Sequence, residues 1–288
     1  MNAEEITRFY RESREKGFVG TGIWGGEPLL RPDLERIVEG AQKAGLLTIL
    51  LTNGYYLEEQ LPQLSPWLNS VVLSLDYPDK KHDRLRGCPG LFQRVMRAVE
   101  ILRSRHPHIR VLINCLLHRG NEKQIPQLAA LAREMGVSFY VCPVKTDTLP
   151  GGKTRSVKGW EADKEEEKDT ARLLLRLKKE GYPLNNSYTY LQEFLEQKRP
   201  FPCRLPMIAL VVRPDGEIVN CLEPAVPLGN ARANRLHDIL SSSTYKEMRL
   251  AAEKCNHCNN PNVVESSYLW EMKVEPLLNA FRVLVRGR

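Results

Sequence analysis

Four of the seven cysteines are spaced as a set. Cys203 and Cys221 bracket Gly216 as C-x12-G-x4-C, and Cys255 and Cys258 close the series as C-x-x-C. Four thiolates suit tetrahedral sulfur ligation of a zinc ion or of an iron–sulfur cluster. On spacing alone the commonness of such sites favours structural zinc. His257 lies inside the C-x-x-C, where both neighbours crowd it as a ligand. A second constellation comes early, in "GIWGGEPLLRPDL", where Gly25, Gly26, Glu27 and Pro28 end a short apolar run. Glycines there let a ligand approach the backbone, and a carboxylate beside them accepts hydrogen bonds from an ammonium group. Three more apolar runs turn polar in the same way, giving Asn53 after Thr52, Ser74 with Asp76, and Asn114 within "VLIN". Singly, each caps a turn; converging on one rim, they make a pocket. His82 and Asp83 are adjacent and point apart, so they read as a loop and helix entry rather than an acid–base pair. Arg84 and Arg86 read as solvated.

These residues need a scaffold, and its rhythm is legible. "FVGTGIW", "LLTILLTNG", "SVVLSLD", "RVLINCLLH" and "VSFYVCPV" read as strands, with helices between them over "PDLERIVEGAQKAG", "LEEQLPQLSPWL", "GLFQRVMRAVEILRSR" and "EKQIPQLAALAREMG". Strands alternating with helices imply a parallel sheet, so the chain reads as an α/β barrel, open or closed, with its chemistry at the carboxyl ends of the strands. The run "LLTILLT" is apolar enough to be covered on both faces. After Val144 the rhythm fails, and residues 145–199 read as a polar insertion and connecting helices at about 164–180 and 188–198. Residues 200–265 have hairpin character, with Pro214-Asp215-Gly216 as the turn, and 266–288 read as an amphipathic helix packing back on the barrel.

Composition excludes several classes. At 288 residues, 42% hydrophobic and 27% charged, the chain can bury a large core. A net charge of +7 is spread among acids without a basic block, which makes nucleic acid an unlikely partner. No apolar run is long enough to span a membrane, and the start lacks a secretory h-region, so a cytoplasmic location is expected, with thiols reduced. Cys88, Cys115 and Cys142 stand alone and read as small buried hydrophobes.

"GGEPLLRPDL", "TILLTNGYYL" and "VVLSLDYPDKKHDRLRGCPGLFQRVMRAVEIL", in that order, resemble the core of a radical S-adenosylmethionine enzyme over about Phe18 to Val144. The resemblance implies a partial (β/α)6 TIM-like barrel over 1–144. In it Gly25, Gly26, Glu27 and Pro28 receive the amino group of S-adenosylmethionine, and Ser74 and Asp76 lie near its ribose and carboxylate, with Asn53 and Asn114 on the same rim. It also implies a catalytic [4Fe-4S] cluster, a 5′-deoxyadenosyl radical that abstracts a hydrogen from a peptide or small-molecule substrate, and an electron donor such as flavodoxin or ferredoxin. That cluster is held in the family by C-x-x-x-C-x-x-C, and no such triplet occurs in the 288 residues. The expectation is a chain truncated ahead of its first strand and cluster loop, inactive as given. The C-terminal spacing resembles the short, twitch form of the SPASM domain, which implies one auxiliary [4Fe-4S] cluster on Cys203, Cys221, Cys255 and Cys258. The alternative is a non-catalytic degenerate barrel acting as a binding protein, with structural zinc at those cysteines.

Overall fold

The computed structural model describes residues 1–144, 162–197, 202–219, 221, 226–255, 258 and 260–286. Most of the expected polar insertion, 145–161, and His257 lie outside the described residues. The apolar runs form β1 (Gly20–Ile23), β2 (Leu47–Thr52), β3 (Ser70–Ser74), β4 (Arg110–Leu117) and β5 (Ser138–Pro143), one parallel sheet in the order β1-β2-β3-β4-β5. Parallel neighbours need a crossover. It is supplied by α2 (Leu34–Lys43), α3 (Leu57–Leu64), α4 (Lys81–Arg86) with α5 (Leu91–Arg105), and α6 (Ile125–Glu134), after a leading α1 (Ala3–Glu15).

The helices cover one face of the sheet. Leu50, Val71, Leu73, Ile113 and Cys115 are fully buried there against Val38, Leu61, Val95 and Leu128. Each such side chain contributes about 1.5–3 kcal/mol by leaving water. The other face is more open, which corrects the expectation for β2. Leu50 is fully buried, but Leu47 and Ile49, on the opposite side of the pleat, are 55% and 37% exposed. Apolar composition does not show which face receives helices, and here only one does.

The free edge of β5 is covered without a regular strand. Leu184 bridges Phe139 in the parallel sense. Beyond it, the Asn186 side chain donates to the Val141 carbonyl and accepts from the Val141 N–H, both at 3.0 Å.

The rest of the chain contributes α7 (Lys164–Lys179), α8 (Tyr188–Glu196) and α9 (Leu205–Ile208). Antiparallel β6 (Val211–Val212), β7 (Glu217–Val219) and β8 (Pro227–Asn230) follow. Then come α10 (Leu236–Ser241), α11 (Ser243–Glu253), α12 (Pro261–Trp270) and α13 (Val274–Arg286). Residues 266–288 are therefore not one helix: α12 begins before residue 266, and Met272, at φ 56°, stops it in the left-handed region before α13 starts. Helix α1 belongs to two cores. Its Ala3 and Tyr10 pack with Ile37, Ala41 and Leu46, while Phe9 joins Ile218, Leu228, Leu236 and Tyr245. Arg8 donates to the Ala231 carbonyl at 2.7 Å, and Glu12 accepts from the Leu236 N–H at 2.8 Å. Among the described residues, no helix is long and apolar enough to cross a membrane.

Candidate cofactor and cluster site

Glu27 sits at the carboxyl end of β1, ahead of a single 3-10 turn over Pro28–Leu30. Its carboxylate accepts from the Leu29 N–H (3.0 Å), the Thr52 hydroxyl (2.6 Å) and the Asn53 N–H (2.8 Å). The side chain is thus fixed between the ends of β1 and β2. Gly25 and Gly26 hold φ of 99° and 54°, conformations that side chains rarely adopt, and a Cβ at either would meet nothing within 4 Å. The loop is therefore open to an approaching ligand. Gly54, next on the rim, is a glycine for a different reason: a Cβ there would lie 2.9 Å from Leu73 Cδ2.

Sheet register places the other rim residues. Thr52 pairs with Leu73, so Asn53 follows level with Ser74; Ser74 pairs with Asn114, and Asn114 with Tyr140. One polar row thus crosses the sheet, half-buried at Asn53, Ser74 and Asn114 and buried at Tyr140. Tyr140, which sequence reasoning did not single out, ends this row, and its hydroxyl donates to Asn262 Oδ1 at 3.0 Å.

Asp76 is placed differently. Its carboxylate, 1% exposed, accepts from Arg86 Nε and Nη2 at 2.7 and 2.6 Å and from the Leu116 N–H at 2.8 Å. It stitches β3 to β4 and to α4. Arg86 is therefore bound, not solvated, because a buried carboxylate needs a cation beside it. His82, one helical turn before Arg86, is fully buried; its Nδ1 accepts the Asp76 N–H at 3.2 Å, which assigns the ring proton to a buried Nε2 with no partner. Burial pushes its pKa from 6.5 to about 4, outweighing the pull of the Asp76 carboxylate. Asp83 caps α5 by accepting from the N–H groups of Gly90 and Phe92, and these bonds, that of Phe92 first, hold its carboxyl below the ordinary range. The i, i+4 spacing of His82 and Arg86 on a short helix after Asp76 is the sequence signal for this cluster.

No disulfide joins any of the seven cysteines. Burial pushes the Cys203 thiol up to about 11, opposed by the Leu205 N–H, and the neighbouring Cys255, Cys221 and Cys258 raise it further. The Asn260 N–H donates to Cys258 Sγ at 3.4 Å. Four thiols are the donor type that a sulfur-ligated metal centre takes. Among the described residues, no three His, Cys, Asp or Glu groups stand in a metal-holding arrangement. Of the isolated cysteines, Cys115 is buried as expected, whereas Cys88 and Cys142 are only partly buried. Cys142, at the end of β5, has its thiol pushed up to about 12 by burial first and by the charge of Cys258 second. The cysteine-bearing segment therefore meets the barrel sheet at the carboxyl end of β5.

Comparison with known proteins agrees with both halves. The family model of the radical SAM superfamily matches residues 1–132, and that of SPASM, an iron-sulfur cluster-binding domain, matches 203–259. The chain is 31% identical over 143 residues to an AdoMet-dependent heme synthase of Methanosarcina barkeri, covering 49% of this chain and 40% of that protein. It is 33% identical over 135 residues to a PqqA peptide cyclase of Gluconobacter oxydans, covering 45% and 37%. The matched regions thus span less than half of these relatives. The crystal structure of Streptococcus suis SuiB superimposes with a TM-score of 0.70 at 17% identity, over 87% of this chain and 62% of SuiB, which shows the shared fold. These domains imply S-adenosylmethionine and iron–sulfur clusters as cofactors, and nothing in the comparisons supports zinc. The chain carries a radical SAM superfamily domain over residues 1–132 and a SPASM iron–sulfur cluster-binding domain over 203–259.

Proposed function

We propose that this chain serves radical S-adenosylmethionine-dependent modification of a peptide, with its SPASM segment holding one auxiliary [4Fe-4S] cluster. The observation that carries the reading is the junction at β5: Tyr140 ends the polar row of the barrel and bonds Asn262, four residues beyond Cys258. A cofactor rim and a cluster segment locked together in this way suit one reaction chamber. The peptide class is supported by relatives: the PqqA peptide cyclase, and SuiB, whose structure has also been solved with its precursor peptide SuiA.

In this reading Glu27, held by Thr52 and two backbone N–H groups, takes the cofactor's ammonium group, and the left-handed Gly25 and Gly26 with Pro28 leave the loop unobstructed. Asn53, Ser74 and Asn114 offer amide and hydroxyl groups along the row. Asp76 anchors the ends of β3 and β4 beside them, its carboxylate being committed to Arg86 and Leu116. Bound S-adenosylmethionine supplies, on reduction, a carbon radical that takes a hydrogen atom from an unactivated position. Cys203, Cys221, Cys255 and Cys258 would hold the auxiliary cluster with no open iron, which suits electron transfer or structural support.

The test reads binding, because the C-x-x-x-C-x-x-C that supports turnover is not in this sequence. Anaerobic reconstitution should give iron and sulfide in the ratio of one [4Fe-4S] cluster, lost in Cys203→Ser. Calorimetry should show S-adenosylmethionine binding weakened about tenfold or more in Glu27→Ala. Stoichiometric zinc without iron, or equal affinity in Glu27→Ala, overturns the assignment. For the substrate class, a precursor peptide encoded beside the gene should slow hydrogen exchange along the open face of β2 to β4; unchanged exchange overturns the peptide reading.

A further inference from the structure

The two glycines of β1 that face away from the helices differ in what they are for. Register sets Gly20 beside Leu47 and Gly22 beside Ile49, on the open face of the sheet. A Cβ at Gly20 would lie 3.1 Å from the Leu47 carbonyl oxygen, so the approach of β2 requires a glycine there. Gly22 is under no such demand. Its φ lies outside the left-handed region, and a Cβ would meet nothing nearer than Trp24 Cδ1, at 3.7 Å, an ordinary contact. A glycine inside a strand weakens it, and where neither conformation nor packing asks for one it marks room left for a close approach.

The same distance locates the indole. Trp24, two residues beyond Gly22 and so on the same side of the chain, stands against the bare Gly22 backbone and is 48% exposed. Leu47 and Ile49, exposed on the adjacent strand, run alongside. Single exposed apolar side chains are ordinary, but these form one strip, and it runs directly into Gly25, Gly26 and Glu27. Neither β1 nor β2 contains a charged residue. A flat backbone floor, an indole at one end and aliphatic side chains alongside suit a planar, uncharged ring, which gains from an aromatic partner beyond the area it buries. The cofactor is not that ring in the reading above, where it extends from Glu27 along the polar row toward Ser74 and Asn114, away from β1.

We propose that Trp24 is a specificity-determining residue, which selects an aromatic side chain of the peptide substrate and packs it over Gly22. This rests on the peptide reading given above. The test is magnetic resonance and calorimetry on the full chain, with acetyl-Gly-Gly-Phe-Gly-Gly-amide as the probe and the same peptide with Ala for Phe as the control. The Trp24 indole N–H signal, identified among four tryptophans as the one lost in Trp24→Phe, should shift with the Phe peptide and stay with the Ala peptide. Gly22→Val fills the slot and should weaken the Phe peptide about tenfold while leaving S-adenosylmethionine affinity unchanged. Valine suits a strand, so this variant should keep the wild-type circular dichroism spectrum. An unmoved indole signal while the Phe peptide binds overturns the role of Trp24 and leaves the peptide reading standing; binding of neither peptide overturns both. Equal shifts with the two peptides overturn the selectivity, and weakened S-adenosylmethionine binding in Gly22→Val overturns the proposal by giving the slot to the adenine ring.

Discussion

His82 makes the acid side of this protein's stability curve predictable. The ring is fully buried, accepts the Asp76 N–H, and has its pKa lowered to about 4 from an ordinary 6.5. Between those two values the unfolded chain binds a proton that the folded chain refuses. Stability is therefore full above about pH 6.5, falls as the pH drops toward 4, and levels off below that. The loss is about 2 kcal/mol by pH 5 and about 3 kcal/mol by pH 4. Urea denaturation across about pH 7 to pH 5, run in parallel on the wild type and His82→Gln, isolates the effect, because other titrating groups are common to both. The variant should be less pH-sensitive than the wild type by about 2 kcal/mol over that range. Identical slopes would mean that the ring is hydrated or protonated in the folded state, and the reasoning from burial fails.

Glu265 should act with the opposite sign. Burial first, and Glu275 last, lift its pKa to about 7, so the folded chain holds a proton that the unfolded chain releases between pH 4.5 and 7. Stability should rise as pH falls through that window, and Glu265→Gln should flatten the rise in the same denaturation series; an unchanged slope would count against it. Arg86→Gln leaves the Asp76 carboxylate buried without its cation and should cost about 3 kcal/mol in chemical denaturation. Adding Asp76→Asn should restore part of the loss, and a cost below about 0.5 kcal/mol would refute the pairing. Gly54→Ala and Gly25→Ala both place a side chain at positive φ, but only the first drives a Cβ into Leu73. Gly54→Ala should therefore lose about 1–3 kcal/mol more than Gly25→Ala, and equal melting temperatures would contradict the contact.

The parallel sheet was legible because apolar runs of strand length alternate with helical periodicity, and that pattern survives any detail of packing. The rim was legible because Asn53, Ser74 and Asn114 interrupt apolar runs, and register later puts them in one row. The spacing of the four cysteines marked the segment that matches the SPASM domain model. Arg86 was not: one arginine among many carries no local mark of being bound, and its partner Asp76 lies ten residues earlier. Cys142 looked like core because its run is apolar, while Cys258, whose charge reaches it, is more than a hundred residues away in sequence. The open face of β2 was hidden because hydrophobicity records what a side chain prefers, not what covers it. The Asn186 amide that closes the β5 edge imitates a strand with a side chain, which no strand propensity detects.

Helix α1 carries a further consequence, for synthesis. Its partners on the second core, Ala231 and Leu236, lie 223 and 224 residues downstream. At ordinary elongation rates they emerge about 11 to 45 s after it. During that interval Tyr10 can dock on Ile37 and Ala41 as soon as α2 appears, but the Phe9 face has nothing to meet. The nascent protein thus carries a half-docked helix with an apolar flank, and the segment that leaves the ribosome early is among the last to be completed.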